Sequence, residues 1–164
     1  MTIIKSITKH LISAHQTLST AESCTGGLIG HTLTNLPGSS TWYQGGVIAY
    51  ANDIKIRLLK VPPALIDKYG AVSAPVAQAM AQGARKTLKS DFAIATTGIA
   101  GPTGGTAKKP VGLVFIAISS PEKTIVKKFI FKGTRLNIKK QTVNTAIKMI
   151  ITLHVTRHPH FHCH

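Results

Sequence analysis

Acidic side chains are scarce in this 164-residue chain. There are five, Glu22, Asp53, Asp67, Asp91 and Glu122, against 20 lysines and arginines, and none after Glu122. Carboxylates so few and so scattered leave no pair for two-carboxylate chemistry and no oxygen cage for a hard metal ion. Cysteine is equally thin: Cys24 and Cys163 lie near opposite ends and supply no disulfide framework, and no His–Cys metal-ligand spacing occurs in the body of the chain. Aromatic residues make up 5% of the sequence and do not interleave with the basic ones, so neither an RNA-recognition module nor a zinc finger is present. No apolar run approaches the length of a membrane span, and residues 1–15 lack a signal-peptide pattern; a soluble cytoplasmic chain without membrane contact is expected.

The imbalance gives a formal net charge of +15. Such a surplus favours anionic partners, either nucleic acid or a small phosphorylated ligand. The basic residues are dispersed along helical and strand patterns, which reads as a solvated basic surface rather than a specific nucleic-acid interface.

With 43% apolar residues, the length suits one domain with a substantial core. Ile4, Ile7, Leu11 and Ile12 form a helical stripe within a segment from Ile3 to Leu18, and Gln16 to Ala21 is β-prone. Leu28 to Leu33 fits a helix with one apolar face. Tyr43 to Tyr50 reads as a strand, Asn52 as the cap of a short helix from Asp53 to Leu59, Ala64 to Tyr69 as a helical turn closed by Gly70, and Ser73 as the cap of a helix from Pro75 to Leu88. Phe92 to Thr97 and Val111 to Ile118 are apolar enough for buried strands, Thr124 to Phe131 alternates as a half-buried one, and a last helix runs from about Arg135 to about Leu153. This order predicts a single-domain three-layer α/β/α sandwich with a mostly parallel central sheet over residues 1–154, followed by a His-rich tail over 155–164.

Two segments carry the chemistry. Thr20-Ala21-Glu22-Ser23-Cys24-Thr25-Gly26-Gly27 puts two nucleophiles and two glycines where a strand runs into a helix, and the free N–H groups of a first helical turn can hold an oxyanion or a phosphate. Ordinary capping by Ser23 or Thr25 is the plainer reading of that turn. Gly98-Ile99-Ala100-Gly101-Pro102-Thr103-Gly104-Gly105-Thr106 directly follows a second strand. Ligands of open α/β sheets bind outside the carboxyl ends of strands, so two Gly-rich turns after two strands point to one crevice. Ser-His-Asp chemistry has no good candidates, since His10, His15 and His31 lie on helical patterns and the other five histidines are C-terminal. Lysine is the remaining base. Lys55, in the first turn of the helix that Asn52 caps, is the best placed, because the positive end of the helix dipole disfavours its ammonium form; a solvated surface lysine is the commoner alternative. Cys24 is a rival nucleophile or a small buried thiol beside the site.

These residues, with Pro37-Gly38-Ser39-Ser40, Gly45-Gly46-Val47-Ile48-Ala49-Tyr50, Gly70-Ala71-Val72-Ser73, Thr97-Gly98-Ile99-Ala100-Gly101-Pro102 and Lys109-Pro110-Val111-Gly112, resemble the CinA C-terminal domain family from about Ile7 to about Leu153. The resemblance implies an α/β/α fold and a nicotinamide-nucleotide amidohydrolase, which converts nicotinamide mononucleotide (NMN) and water to nicotinate mononucleotide and ammonia in pyridine nucleotide salvage. It implies Ser23 as nucleophile and Lys55 as its general base, with no metal or organic cofactor. It places the substrate among Thr25, Gly26, Gly27, Thr97, Gly98, Gly101, Gly104, Gly105, Arg135 and Lys139, with Tyr50 and Asn52 shaping the base pocket. The expected partners are the nucleotide substrate and a second copy of the chain in a homo-oligomer, a dimer, with no specific nucleic acid. Thr134, Lys139, Lys108 and the Ala74-Pro75 pair depart from the usual family pattern, and Lys139 offers phosphate a point charge where an arginine would offer a fork. The alternative of another class is a non-catalytic basic module that binds nucleotides or nucleic acid without turnover.

Overall fold

The computed structural model describes residues 2–155, so the His-rich tail expected from residue 155 onward falls, apart from Val155 itself, outside the described residues. Five strands, β1 (Leu18–Glu22), β2 (Tyr43–Ile48), β3 (Phe92–Gly98), β4 (Leu113–Ser119) and β5 (Thr124–Ile130), form one sheet in the order β2-β1-β3-β4-β5. Helices α1 (Thr2–Ser13), α2 (Leu28–Thr34) and α6 (Arg135–Val155) cover one face; α3 (Asn52–Leu59), α4 (Pro63–Tyr69) and α5 (Ala74–Thr87) cover the other. The α/β/α sandwich expected from the element order is the observed architecture.

Chain connectivity sets strand direction. β1 is parallel to β2 and β3, and helices carry both crossovers, α2 from β1 to β2 and α3 to α5 from β2 to β3. No helix separates β3 from β4 or β4 from β5, so both pairs are antiparallel. The sheet is therefore mixed, parallel on the side that carries β1.

Alternation along the central strands decides how the layers pack. In β3, Phe92 and Ile94 point into the core shared with α1, α2 and α6, while Ala93 and Ala95 face α5. β4 repeats the pattern, with Val114, Ile116 and Ile118 on the first face and Ala117 on the second. An alanine-paved face lets α5, itself presenting Ala77, Ala81 and Ala84, lie close to the sheet. Gly83 on α5 sits so near the end of α3 that a methyl group there would overlap the Leu59 carbonyl.

Several boundaries shift from the sequence reading. The first helix stops at Ser13, because His15 adopts a left-handed backbone (φ 51°) and Gln16 to Ala21 belongs to the buried β1 approach. Asn52 is the first residue of α3 and Ala51 holds the cap position. Ser73 does precede α5, but its hydroxyl donates to the Gly70 carbonyl at 2.8 Å rather than capping the helix.

Candidate active site

The turn that follows β1 is held from three sides. The Ser23 N–H donates to the Thr96 carbonyl of β3 at 3.0 Å, extending the parallel ladder past the strand end. Thr25, fully buried, shares a 2.8 Å hydroxyl hydrogen bond with Thr96. Glu22 does the rest: its carboxylate, 2% exposed, accepts the N–H groups of Gly27 (3.0 Å), Ile29 (3.0 Å) and Gly30 (2.8 Å). Gly26 and Gly27 have φ of 61° and 93°, left-handed values that suit residues without a Cβ.

This arrangement departs from the sequence expectation in one respect that matters. Neither Ser23 nor Thr25 caps α2; Gly27 occupies the cap position, and the first-turn N–H groups are already taken by the Glu22 carboxylate. Thr25, Gly26 and Gly27 consequently do not line the cleft. A helix start satisfied by a fixed carboxylate offers no welcome to a second anion. Glu22 is thus a site-forming residue that its place in the sequence hardly announced; the available signal was an acid just before a helix start.

Ser23 opens instead into a cleft of about 280 Å³ at the carboxyl ends of β1 and β3, where the connections leaving the two strands run to opposite sides, from β1 to β2 and from β3 to β4. The cleft is lined by Ser23 and Cys24 from the first turn, by Tyr50, Asn52 and Lys55 from the β2–α3 junction, and by Thr97, Gly98, Gly101 and Gly104 from β3 and its loop. Arg135 closes one side. Ala71, Val72, Ile99, Ala100 and Thr103, all within motifs quoted from the sequence, complete the walls, and Thr97 is tied to this wall by donating its hydroxyl to the Ala71 carbonyl at 2.8 Å. Gly105 lies outside the lining, its backbone packed against Val111. Lys139 is outside it as well, with its ammonium near Gly26.

Lys55 is 1% exposed, an unusual state for lysine. Its Nζ donates to the Tyr50 carbonyl at 3.1 Å, its one hydrogen bond among the described residues. A buried ammonium with three N–H groups and one acceptor is poorly solvated, whereas a neutral amine giving one N–H to Tyr50 keeps its lone pair free. Burial accordingly pulls the Lys55 amine below the ordinary lysine range. Desolvation, rather than the helix dipole expected from the sequence, is the leading cause. Cys24 behaves oppositely: burial pushes its thiol up to about 12, so it is a neutral thiol at pH 7 and a poor nucleophile.

On the opposite rim Arg135 donates to the Gly101 carbonyl at 2.7 Å and to the Tyr50 hydroxyl at 2.8 Å, joining α6, the Gly-rich loop and the β2–α3 junction. The N–H groups of Ala100, Gly101, Thr103 and Gly104, residues that line the cleft with Arg135, meet no acceptor among the described residues. The cleft thus holds a serine hydroxyl and a buried amine together with an arginine and main-chain N–H donors.

A family model described as the CinA C-terminal domain matches residues 1–154. A CinA-like protein of Endomicrobium trichonymphae is 45% identical over 148 residues, 90% of this chain and 35% of that protein. One from Parasynechococcus marenigrum is 60% identical over 107 residues, 65% of this chain and 26% of that protein. The chain spans about a third of the length of the curated relatives it matches. Among solved structures, the competence/damage inducible protein CihA from Agrobacterium tumefaciens superposes with a TM-score of 0.90 at 40% identity, covering 92% of this chain and 93% of that one. A CinA superfamily protein from Escherichia coli gives 0.89 at 30% identity, covering 92% and 88%. Sequence, fold and extent agree, and the chain belongs to the CinA C-terminal domain family.

Proposed function

We propose that this protein hydrolyses the carboxamide of nicotinamide mononucleotide, releasing ammonia and nicotinate mononucleotide, with Ser23 as nucleophile and Lys55 as general base. The observation that carries the reading is a buried lysine, its amine pulled below the ordinary lysine range by desolvation, lining the same small cleft as Ser23. In the first half-reaction Lys55 Nζ takes the Ser23 proton as Oγ bonds to the carboxamide carbon. The C–N bond then breaks, and ammonia leaves with the proton returned by Lys55. Water, deprotonated by the same amine, attacks the acyl carbon; the C–Oγ bond breaks, Lys55 returns the proton to Ser23 Oγ, and the freed acid ionises to the carboxylate.

The oxyanion needs donors on the cleft side of Ser23. Since α2 has none to spare, the free Ala100 N–H of the cleft lining is assigned to it. The nucleotide phosphate is assigned to the Gly101–Gly104 loop with Arg135. Arg135→Ala is expected to raise KM for the nucleotide about 10- to 100-fold with a much smaller change in kcat, as befits a contact made equally in ground and transition states. Equal losses in both would mean that Arg135 acts on the reacting centre instead.

Acidity supplies a second check. The active form of Lys55 is the neutral one, so kcat/KM should rise with pH through the lowered Lys55 value and level off below the usual lysine range. Stability moves in the same direction. Between the folded and the higher unfolded value the unfolded chain binds the extra proton, so folding strengthens as pH rises across that interval and is level above it. A kcat/KM that shows no rise with pH anywhere below the ordinary lysine range would assign the base elsewhere. Direct measurement of ammonia from NMN tests the whole reading. Tight NMN binding with no ammonia would favour the non-catalytic nucleotide-binding alternative.

A further inference from the structure

Far from the cleft, a second depression of about 410 Å³ lies between the edge strand β5 and α6. Its floor is apolar: Ile125 and Phe129 on one face of β5, and Met149 on α6, 9% exposed. Phe129 stacks on Phe131 with centroids 5.5 Å apart and planes within 7°. The opening exists because α6 lies over α1 and β4 and makes little contact with β5, which is left half-covered on that side. Three exposed lysines also line it: Lys123 just before the strand, Lys127 on the same face of β5 between Ile125 and Phe129, and Lys148 on the helix across the groove. None of the three ammonium groups forms an ion pair or hydrogen bond among the described residues, and no acid lines the groove.

Protection of an exposed edge accounts for lysines on β5. It does not account for Lys148, which stands on a helix facing them. An apolar floor beside unpaired cations matches one ligand chemistry, an anion carrying an extended apolar chain, and the volume lies within the range of small-molecule sites, about 300–1,000 Å³. A second copy of the chain would bring lysine against lysine on a molecule of net charge +15. A bilayer surface would need apolar groups that protrude, whereas Met149 is recessed. We propose that the β5–α6 groove binds a monomeric alkyl-chain anion, its chain on Ile125, Phe129 and Met149 and its head group among Lys123, Lys127 and Lys148.

Decanoate and decyl phosphate, titrated below their micelle concentrations into the full chain and followed by calorimetry, are expected to bind at least tenfold more tightly than 1-decanol, acetate or inorganic phosphate. Comparing the two head groups tells a carboxylate from a phosphate ligand. The double variant Lys127→Glu/Lys148→Glu alters exposed residues outside the cleft, and is expected to lose tenfold or more in decanoate affinity while retaining the parent's nucleotide-cleft behaviour. Thr145→Trp, which fills the groove from α6, should abolish binding. Equal affinity for decanol and decanoate, undiminished binding by the double variant, or affinity confined to anionic vesicles overturns the assignment. So does a decanoate-independent dimer that Thr145→Trp dissociates, since that would place a second copy on this face.

Discussion

Ammonia release from nicotinamide mononucleotide is expected to fall to about one-thousandth or less in both Ser23→Ala and Lys55→Met, with the fold of each variant intact. Ser23→Ala removes one atom from a turn whose geometry is fixed by main-chain bonds, the Ser23 N–H to Thr96 and the Glu22 carboxylate to the helix start, so little else should change. Lys55→Met is the more telling change. It keeps an unbranched side chain in the same buried slot while removing the amine that is held there against its preference for water. Activity should vanish while the urea midpoint holds or rises, and the stability gain with increasing pH described above should disappear. A gain in stability on loss of the buried amine would fit the general trade between stability and activity. Either variant retaining parental turnover would remove the Ser23–Lys55 pair from the mechanism, and a Lys55→Met protein that fails to fold would show the amine to be structural.

Glu22→Ala should cost about 3 kcal/mol of folding stability, read as a lowered urea midpoint at unchanged m-value. Three helix-start N–H groups lose their acceptor together, and a buried donor left unsatisfied costs about 1–3 kcal/mol. The sum is moderated because Gly27, Gly30 and Glu22 border a shallow groove of about 210 Å³ beside β2, through which water can reach part of the turn. Against a usual total of about 5–15 kcal/mol, the loss is severe. Glu22→Gln keeps one acceptor oxygen but turns an amide toward donors, so it should recover less than half. A change below 1 kcal/mol in the alanine variant would show that the carboxylate does not organise the Ser23 turn.

Much of this protein is legible in local pattern. Alternating large and small residues in Phe92-Ala93-Ile94-Ala95 mark a strand buried on both faces, and the two Gly-rich segments mark the ends of the strands at which a site forms. Errors cluster where a local signal meets a tertiary partner. Asn52 looks like a cap, yet Ala51 holds that position; Ser73 looks like one, yet its hydroxyl turns to Gly70. The first-turn N–H groups of α2 look free for a ligand, and only the folded chain brings the Glu22 carboxylate onto them.

Sequence by itself determined the layered α/β/α architecture, the excess of basic residues and the family, because periodicity, composition and motif order are carried by the chain without reference to its folding. It named Ser23 and, through resemblance, Lys55. Tertiary structure alone decided that β4 runs antiparallel to β3, that Lys55 loses its water and Cys24 with it, that Arg135 bridges Tyr50 and Gly101, and that Lys139 and Gly105 stand apart from the cleft. Burial and the pairing of residues distant in the chain are properties of the packed layers. No window of sequence around Lys55 encodes how much water reaches its amine.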